Sequence, residues 1–271
     1  MTTIELVPKP ATIKKIIDES RDVKSYVLEM NESLPMPALP GQFVEVSVQG
    51  YGEATFAVTR KSKGGREFTI SVKRIGHLTK MLHRAATGDI IGVRGPYGNS
   101  FPVDDWKGKD ILVIGGGIGL APLRPVIDHI LLNRKDYGSL EIIFGARTPD
   151  DILYKDDLQM WESDKSILLH TTIDVPFEGW NGRVGVVPAV VRDLGVKPDR
   201  RVSIVCGPPV MIKFTAAALR ELKWPDNRIF TTLEMKMQCG IGQCGRCNIG
   251  EKFICKDGPV FSLNQIPEHA L

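Results

Sequence analysis

Four cysteines close to the C-terminus have a spacing that could hold a metal group. They are Cys239, Cys244, Cys247 and Cys255. The spacing C-x4-C-x2-C followed by a later cysteine is the plant-type [2Fe–2S] pattern, in which one short loop presents three thiolates from different directions. Glycines between these cysteines permit positive φ angles and let backbone N–H groups point at the sulfurs. We therefore predict that these four cysteines hold a [2Fe–2S] cluster.

Two other uses of these cysteines are weighed against the cluster. Four thiolates can hold zinc, but structural zinc sites usually carry two C-x2-C knuckles, and this sequence has only one. The chain has five cysteines, and an odd number in a reducing compartment argues against a disulfide framework. Iron–sulfur ligation is the favoured interpretation, and zinc is the alternative.

Composition restricts the class of protein. Of 271 residues, 42% are hydrophobic and 25% are charged, which is typical of a soluble chain of one large or two compact domains. The net charge of +3 is too small to indicate a nucleic acid or a membrane surface as partner. No apolar run reaches the ~18 residues of a membrane span. Met1–Leu6 has no basic leader before an apolar core, so we expect a cytoplasmic protein.

The stretch from Ile111 to Leu123 predicts a nucleotide-binding turn. Its first four residues are apolar, which is typical of a buried parallel strand. Glycines follow where the strand gives way to a helix, and there backbone N–H groups can approach a phosphate closely. Pro122 is expected in the first helical turn, where a missing N–H is tolerated. The glycine spacing is not a strict G-x-G-x-x-G, so an ordinary strand–turn–helix is the alternative.

Strands and helices alternate after this turn, which predicts a doubly wound α/β domain with a parallel sheet. Further strands are expected at 140–144, 166–172 and 201–206, and helices at 122–133, 156–162, 186–194 and 210–222. Arg147 follows the second strand, where an arginine can accommodate the 2′-phosphate of NADP. It could equally stack on adenine, so NAD and NADP both stay open. Cys206 ends a strand where ligands bind, and a buried apolar thiol is its alternative interpretation.

The first third of the chain predicts a small antiparallel β-barrel. Short strands are expected at 12–17, 23–30, 42–48, 55–60, 67–74 and 89–93, with turn residues such as Pro35, Pro37 and Gly64-Gly65 between them. Residues 76–83 predict a short helix whose N–H groups, with the Thr79 hydroxyl, could hold a diphosphate. A barrel-capping helix with Thr79 as its N-cap is the alternative.

A polar link at 104–109 separates the barrel from the α/β region. We therefore expect three parts along the chain. They are a barrel domain over 1–104, an α/β domain over 105–230 and a cluster-binding segment over 231–271.

Taken in order, these motifs resemble the flavin- and iron–sulfur-containing electron-transfer subunits of the ferredoxin reductase superfamily. The similar branches are the dihydroorotate dehydrogenase electron-transfer subunit, the γ (diaphorase) subunit of soluble NAD(P)-linked [NiFe] hydrogenases, the anaerobic sulfite reductase B subunit, and the small subunit of NADH-dependent ferredoxin:NADP oxidoreductase. The likeness runs from Pro40 to Cys255. Its markers are Gly95-Pro-Tyr-Gly98, Gly115-Gly-Gly-Ile-Gly-Leu-Ala-Pro122, Gly145-Ala-Arg-Thr-Pro149, Cys206-Gly-Pro-Pro-Val-Met211 and the cysteine cluster.

The resemblance implies bound FAD and a bound nicotinamide nucleotide beside the cluster. The flavin ring would lie along Ala54, Thr55, Phe56 and Ala57, and its diphosphate near Val72, Lys73, Arg74, Leu78 and Thr79. The NAD(P) diphosphate would lie at Gly116, Gly117, Ile118 and Gly119, with Arg147 further along the nucleotide site. The nicotinamide would lie against the flavin, near Cys206, Gly207, Pro208 and Met211. Cys206 would be the catalytic residue.

One departure from the family concerns the flavin strand. The family commonly has Arg-x-Phe/Tyr-Ser/Thr there, with the arginine near the phosphate and the hydroxyl near flavin N5. This chain has Ala54 and Ala57 at those two positions. Lys73 or Arg74 could supply the missing charge, and a backbone N–H could serve N5. Flavin binding remains the expectation.

The function implied is that of a diaphorase subunit. NAD(P)H and FAD would exchange a hydride, and single electrons would pass through the cluster to or from a catalytic partner subunit. The partner would be of the hydrogenase, sulfite or heterodisulfide reductase, or dihydroorotate dehydrogenase type. One alternative is a free-standing NAD(P)H:ferredoxin reductase with ferredoxin as partner. The other is a flavin-free redox-sensing or scaffold subunit, which the two alanines of the flavin strand would favour.

Overall fold

The structure is a computed structural model that describes residues 6–30, 38–61 and 66–267. The chain forms two compact units. The first contains Met1–Asp18, Asp22–Phe101 and Leu233–Val260, and the second contains Glu19–Arg21, Pro102–Thr232 and Phe261–Leu271. The turn residues predicted at Pro35, Pro37 and Gly64-Gly65 lie outside the described residues. Residues 233–260, which carry the four clustered cysteines, belong to the same unit as the barrel strands.

The first unit is built on a closed antiparallel barrel, as the turn-punctuated pattern predicts. Its strands are β1 (Lys9–Asp18), β2 (Val23–Met30), β3 (Phe43–Val48), β4 (Gly52–Lys61), β5 (Glu67–Lys73) and β6 (Ile90–Tyr97), in the closed order β1-β2-β5-β4-β3-β6. Residues alternate between the barrel core and the outer surface. Val44 and Val46 of β3 pack in the core, whereas Glu45 between them faces outward.

A short helix, α1 (His77–Leu82), follows β5. Its N-cap is Gly76, so Thr79 is the third helical residue, and the expectation that Thr79 is the N-cap is wrong. The Thr79 hydroxyl accepts hydrogen bonds from the N–H groups of Ile75 (3.0 Å) and Gly76 (2.8 Å). The helix start is thus closed by its own side chain.

The second unit contains a parallel sheet between helices. Its strands are β7 (Asp110–Gly116), β8 (Leu140–Ala146), β9 (Ile167–Ile173), β10 (Arg183–Val184), β11 (Arg201–Cys206) and β12 (Ile229–Thr232), with helices α2 (Arg124–Leu132), α3 (Lys155–Ser163), α4 (Val187–Leu194) and α5 (Pro209–Glu221). The order is β10-β9-β8-β7-β11-β12, followed at the edge by a later strand. Because strand order reverses on either side of β7, the crevice for a ligand lies at the carboxyl ends of β7 and β11.

The glycine-rich turn after β7 differs from its expected form. Residues Gly117–Leu123 wind as a 3-10 helix that contains Pro122, and α2 begins only at Arg124, with Pro125 in its first turn. The prediction that Pro122 lies in the first turn of the α-helix is therefore wrong. The turn is tighter because Gly117 has a φ of +53° and starts the segment in a left-handed conformation.

The segment after β12 carries the cysteines. It contains a two-stranded hairpin of β13 (Asn248–Ile249) and β14 (Lys252–Phe253), then α6 (Ile254–Asp257) and β15 (Val260–Ser262), which is the last strand in the order of the seven-stranded sheet. No helix in the described part of the chain is both long and apolar enough to cross a membrane.

Candidate functional site

The cysteine sulfurs are arranged as two pairs. Cys247 precedes β13 and Cys255 lies in α6, so the β13–β14 hairpin brings them together, with their sulfurs 3.3 Å apart. Cys239 and Cys244 form the second pair, in which the N–H of Cys244 lies 3.5 Å from the Cys239 sulfur. Cys247 and Cys255 are buried, and Cys244 is exposed. The expected ligands are thus gathered in one loop and hairpin.

Backbone N–H groups converge on two of the sulfurs. The sulfur of Cys239 accepts from Ile241 (3.4 Å) and Gln243 (3.3 Å), and that of Cys255 accepts from Gly242 (3.0 Å). Burial raises the pKa of the Cys239 thiol, but these N–H groups outweigh burial and lower its pKa below the ordinary value. Burial and the neighbouring Cys247 thiol raise the pKa of Cys255. Such N–H donors stabilise a negatively charged sulfur-rich group.

The donor set fits a binuclear iron–sulfur group. In a [2Fe–2S] cluster each iron takes two terminal thiolates, and the chain offers two thiol pairs. Among the described residues, no group of three or more His, Cys, Asp or Glu side chains is arranged to hold a metal ion. The fit to a cluster thus depends on the sulfur contacts and on the N–H donors, both of which suit a group with charged sulfurs.

Gly240 gives a test of how tightly the cysteine loop fits the barrel. Its φ is +78°, and a Cβ there would lie 2.6 Å from the Tyr97 ring. Gly240→Ala combines left-handed strain with this overlap, which together destabilise a site by about 2–4 kcal/mol. Gly245→Ala is the matched control, since Gly245 has a φ of +73° but open space around it. We expect cluster loss to a chelator, followed by visible absorbance, to be about tenfold faster in Gly240→Ala than in Gly245→Ala; equal rates would contradict the packing.

The predicted flavin strand is divided between two environments. Ala54 and Phe56 pack, partly buried, against the barrel core. Thr55 lies on the other face, where its hydroxyl donates to Glu45 at 2.8 Å. Ala57 is paired with Phe43 of β3. The structure thus places these four residues on one strand, β4, with only Thr55 offering a polar side chain.

The predicted diphosphate residues lie at the end of β5 and in α1. Lys73 lies 3.5 Å from Asp22, so part of its charge is already neutralised. Arg74 is exposed and follows β5 directly. Val72, Leu78 and Thr79 are buried. Arg74 is therefore the better candidate of the two for the charge that Ala54 does not supply.

Glu45 is a buried carboxyl that sequence reasoning missed. It is fully buried on the outer face of β3, and no group among the described residues forms a hydrogen bond with its Oε2 atom. Burial raises the pKa of Glu45 to about 7, against the lowering effects of Thr55 and Arg94. The only sequence signal was a charged residue at an alternating strand position, which ordinarily indicates a solvent-exposed face.

The raised pKa of Glu45 predicts a pH-dependent stability. Between its unfolded pKa near 4.5 and its folded pKa near 7, the folded state holds more protons, so stability falls as pH rises through this window and stays low above it. Glu45→Gln removes the ionisable group. We expect the variant to release flavin about 5 °C higher than the wild type at pH 8, measured by flavin fluorescence on heating. At pH 4.5 the two should agree within ~1 °C, and a gain of the same size at both pH values would contradict the assignment.

The second unit brings most of the predicted nucleotide residues together. β7 and β11 are parallel neighbours, and Cys206 pairs with Gly115. A Cβ on Gly119 would lie 2.5 Å from the Cys206 carbonyl oxygen and from Gly207, and one on Gly116 would lie 2.2 Å from the Met211 sulfur. The same hypothetical Gly116 Cβ would lie 3.6 Å from Pro208. At Gly119, where the nearest atoms belong to the backbone, only glycine permits this close approach of the two loops.

Cys206 and Arg147 lie at the carboxyl ends of β11 and β8. The Cys206 thiol is buried and lies 2.9 Å from the Thr232 hydroxyl, a partner in β12 that sequence reasoning missed. Arg147 is exposed and lies near Asp174: burial raises the pKa of that carboxyl, while Arg147 lowers it. The carboxylate beside Arg147 reduces the net positive charge available for a 2′-phosphate.

Barrel, parallel sheet and cysteine loop together define a ferredoxin reductase-type flavoprotein with an added iron–sulfur segment. Three family models match the chain. They are the oxidoreductase FAD-binding domain over residues 10–101, the oxidoreductase NAD-binding domain over 113–217 and the iron–sulfur cluster binding domain of dihydroorotate dehydrogenase B over 234–267. The chain thus carries FAD-, NAD- and iron–sulfur-binding domains, as the motifs predict.

Known proteins match over most of the chain. Sulfhydrogenase 1 subunit gamma of Pyrococcus furiosus is 37% identical and is matched over 84% of this chain and 80% of its own. A probable dihydroorotate dehydrogenase B electron transfer subunit of Methanocaldococcus jannaschii is 33% identical over 94% and 89%. A solved structure of NADH-dependent reduced ferredoxin–NADP oxidoreductase is 27% identical, with a TM-score of 0.79 over 100% and 93%. The chain belongs to the ferredoxin reductase-like family of flavin- and iron–sulfur-containing electron-transfer subunits, and its function is electron transfer as an oxidoreductase subunit.

Proposed function

We propose that this subunit exchanges a hydride between NAD(P)H and FAD and passes single electrons through a [2Fe–2S] cluster to or from a catalytic partner subunit. The observation that carries the proposal is the cysteine loop, in which two thiol pairs and converging N–H groups lie in the same folded unit as the predicted flavin strand. When bound, FAD accepts electron pairs and the cluster accepts single electrons, so the two together convert one kind of transfer into the other.

The chain's own residues would bind the nucleotide and the cluster and orient the nicotinamide. The backbone of Gly116 to Gly119 would hold the nucleotide diphosphate, since it lies at the end of β7 beside the β11 loop. The Cys206 thiol, held by Thr232, would face the nicotinamide. Cys239, Cys244, Cys247 and Cys255 would be the cluster ligands, and the N–H groups of residues 241–244 would lower the charge density on the sulfurs. The division at about residues 104 and 230 stays a prediction.

Exposure of Cys244 supports a partner on that side of the loop. Cys244 is the exposed member of the four cysteines, so electrons would leave or enter the chain there. The relatives are named as subunits of a sulfhydrogenase and of a dihydroorotate dehydrogenase, which supports a catalytic subunit as partner, with ferredoxin as the alternative acceptor. Isolation of the native protein followed by identification of co-eluting chains tests this: a hydrogenase-type or dehydrogenase-type chain supports it, and elution of the chain alone favours the ferredoxin reductase.

The function is tested by cofactor content and dye reduction. We expect the purified protein to show flavin and cluster absorbance and to reduce benzyl viologen with NADH or NADPH. Comparing the two nucleotides decides between them: Arg147 favours NADPH, whereas nearby Asp174 favours NADH. A protein with cluster but no flavin would contradict the proposal and support a scaffold role, and a colourless zinc protein would contradict both.

A further inference from the structure

Arg94 of β6 is a buried charge beneath the cysteine loop, and the sequence motifs assign it no role. Its side chain is only 4% exposed. Burial of a guanidinium is strongly unfavourable unless its N–H groups all find acceptors. The positions of those acceptors therefore show what the residue connects.

All five N–H groups of Arg94 have acceptors. Nε and Nη2 form a bidentate ion pair with the Glu53 carboxylate, each at 2.8 Å. Nη1 donates to the Cys239 carbonyl oxygen at 2.7 Å and to the Tyr97 hydroxyl at 3.3 Å. Nη2 donates its second hydrogen to the carbonyl oxygen of Gln238. The guanidinium also lies 5.5 Å from the centre of the Tyr97 ring, so charge, hydrogen bonds and stacking are all satisfied in one place.

These acceptors belong to two parts of the first unit. Glu53 immediately precedes Ala54 in β4, the predicted flavin strand. Gln238 and Cys239 carry the backbone into the first predicted cluster ligand. Arg94 is thus a single rigid group that joins the start of the flavin strand to the start of the cluster loop.

We propose that Arg94 is a positioning residue that fixes the cluster loop at a constant separation from the flavin strand. The inference rests on the proposed function, since it takes β4 as the flavin strand and Cys239 as a ligand. Electron transfer between two centres slows steeply as their separation grows, so a loop released from β4 would transfer electrons more slowly even with both groups bound. The bidentate pair with Glu53 fixes the orientation of the guanidinium, and Gly240 of the cluster loop lies close to the Tyr97 ring.

Three variants test the proposal. Arg94→Met removes the hydrogen bonds and the charge. Arg94→Lys keeps the charge but has only three donors on one nitrogen, so it cannot span both carbonyls and the carboxylate. The double variant Arg94→Met with Glu53→Gln removes both charges and so separates electrostatics from anchoring. The partly exposed ion pair Lys14–Glu29 of the same barrel, 3.0 Å apart, supplies the matched control, Lys14→Met with Glu29→Gln.

Two readouts are taken on each full-length variant after flavin and iron are quantified. Hydrogen–deuterium exchange of the peptide spanning residues 236–242 should be about tenfold faster in Arg94→Met and in the double variant, as expected for losing charged hydrogen bonds. The rate of cluster reduction after flavin reduction by NADH should fall about tenfold in both, while the rate of flavin reduction stays unchanged. In Arg94→Lys, the exchange rate and the cluster-reduction rate should both lie between those of Arg94→Met and those of the wild type.

The outcomes separate the proposal from the function it rests on. Wild-type rates of hydrogen–deuterium exchange and of cluster reduction in Arg94→Met would overturn the positioning role. Wild-type rates in the double variant would overturn it too, because the loss in Arg94→Met would then come from the unpaired Glu53 charge and not from lost anchoring. If Arg94→Met does not fold, the milder Arg94→Lys decides by the same readouts. A wild type in which NADH reduces flavin but never the cluster would contradict the proposed function, whereas the exchange data would still decide whether Arg94 anchors the loop.

Discussion

Replacing Cys244 with serine is expected to abolish the cluster signal while NAD(P)H-driven dye reduction through the flavin continues. Cys244 is exposed, so the substitution removes one thiolate without opening a cavity or burying a polar group. A [2Fe–2S] cluster that loses one of four thiolates loses a terminal ligand on one iron. We expect less than a tenth of wild-type iron and acid-labile sulfide, at least half of the wild-type rate with a dye that accepts electrons from flavin, and no transfer to the partner.

The control for this prediction is Cys206→Ser. Cys206 is the fifth cysteine. It lies in the second unit, where its thiol is hydrogen-bonded to the Thr232 hydroxyl. Its serine variant should keep full iron and sulfide content and lose hydride transfer instead. Loss of both cluster and flavin-dependent dye reduction in Cys244→Ser would show that the two roles are not separable. Loss of cluster in Cys206→Ser would show that the ligand set is misassigned.

Replacing Gly119 with alanine is expected to lower NADH-dependent flavin reduction by about a hundredfold, with flavin and cluster retained. The added Cβ would lie 2.5 Å from backbone atoms of Cys206 and Gly207. Backbone cannot move aside as a flexible side chain can, so the loops after β7 and β11 must separate. A displacement of about 1 Å at a binding loop is enough for a loss of this size. Stopped-flow absorbance at the flavin band measures the rate.

Gly195→Ala is the matched control in the same unit. Gly195 caps α4 with a φ of +57°, and open space surrounds its missing Cβ. This variant should lose about 1 kcal/mol of stability from left-handed strain and keep its rate of flavin reduction. If Gly119→Ala reduced flavin as fast as Gly195→Ala, the nucleotide would not be held by the turn after β7.

Local patterning was enough to predict the barrel and much of the sheet. The strand predicted at 23–30 is β2 (Val23–Met30), and that predicted at 201–206 is β11 (Arg201–Cys206). In each case alternation or a short apolar run is bounded by turn residues, and the burial follows the pattern. The cysteine spacing likewise predicted an iron–sulfur segment, which the family match over 234–267 confirms.

Long-range partners could not be predicted in this way. β10 and β15 are too short for a periodic pattern, and the end of the chain joins the sheet only through tertiary pairing. Glu45 and Arg94 occupy alternating positions that suit an exposed face, yet both are buried. Arg94 is buried where Gln238 and Cys239 of the later segment accept its hydrogen bonds, and only the completed fold shows that contact.

The central claim is that paired electrons from the nicotinamide leave this chain singly through the cysteine loop. The most direct measurement adds one equivalent of NADH or NADPH, without oxygen, to protein in which FAD and [2Fe–2S] are both confirmed by analysis, and records low-temperature electron paramagnetic resonance. We predict bleaching of the flavin band followed by the signal of a reduced [2Fe–2S] cluster. A bleached flavin with a magnetically silent cluster that dithionite can still reduce would contradict the relay.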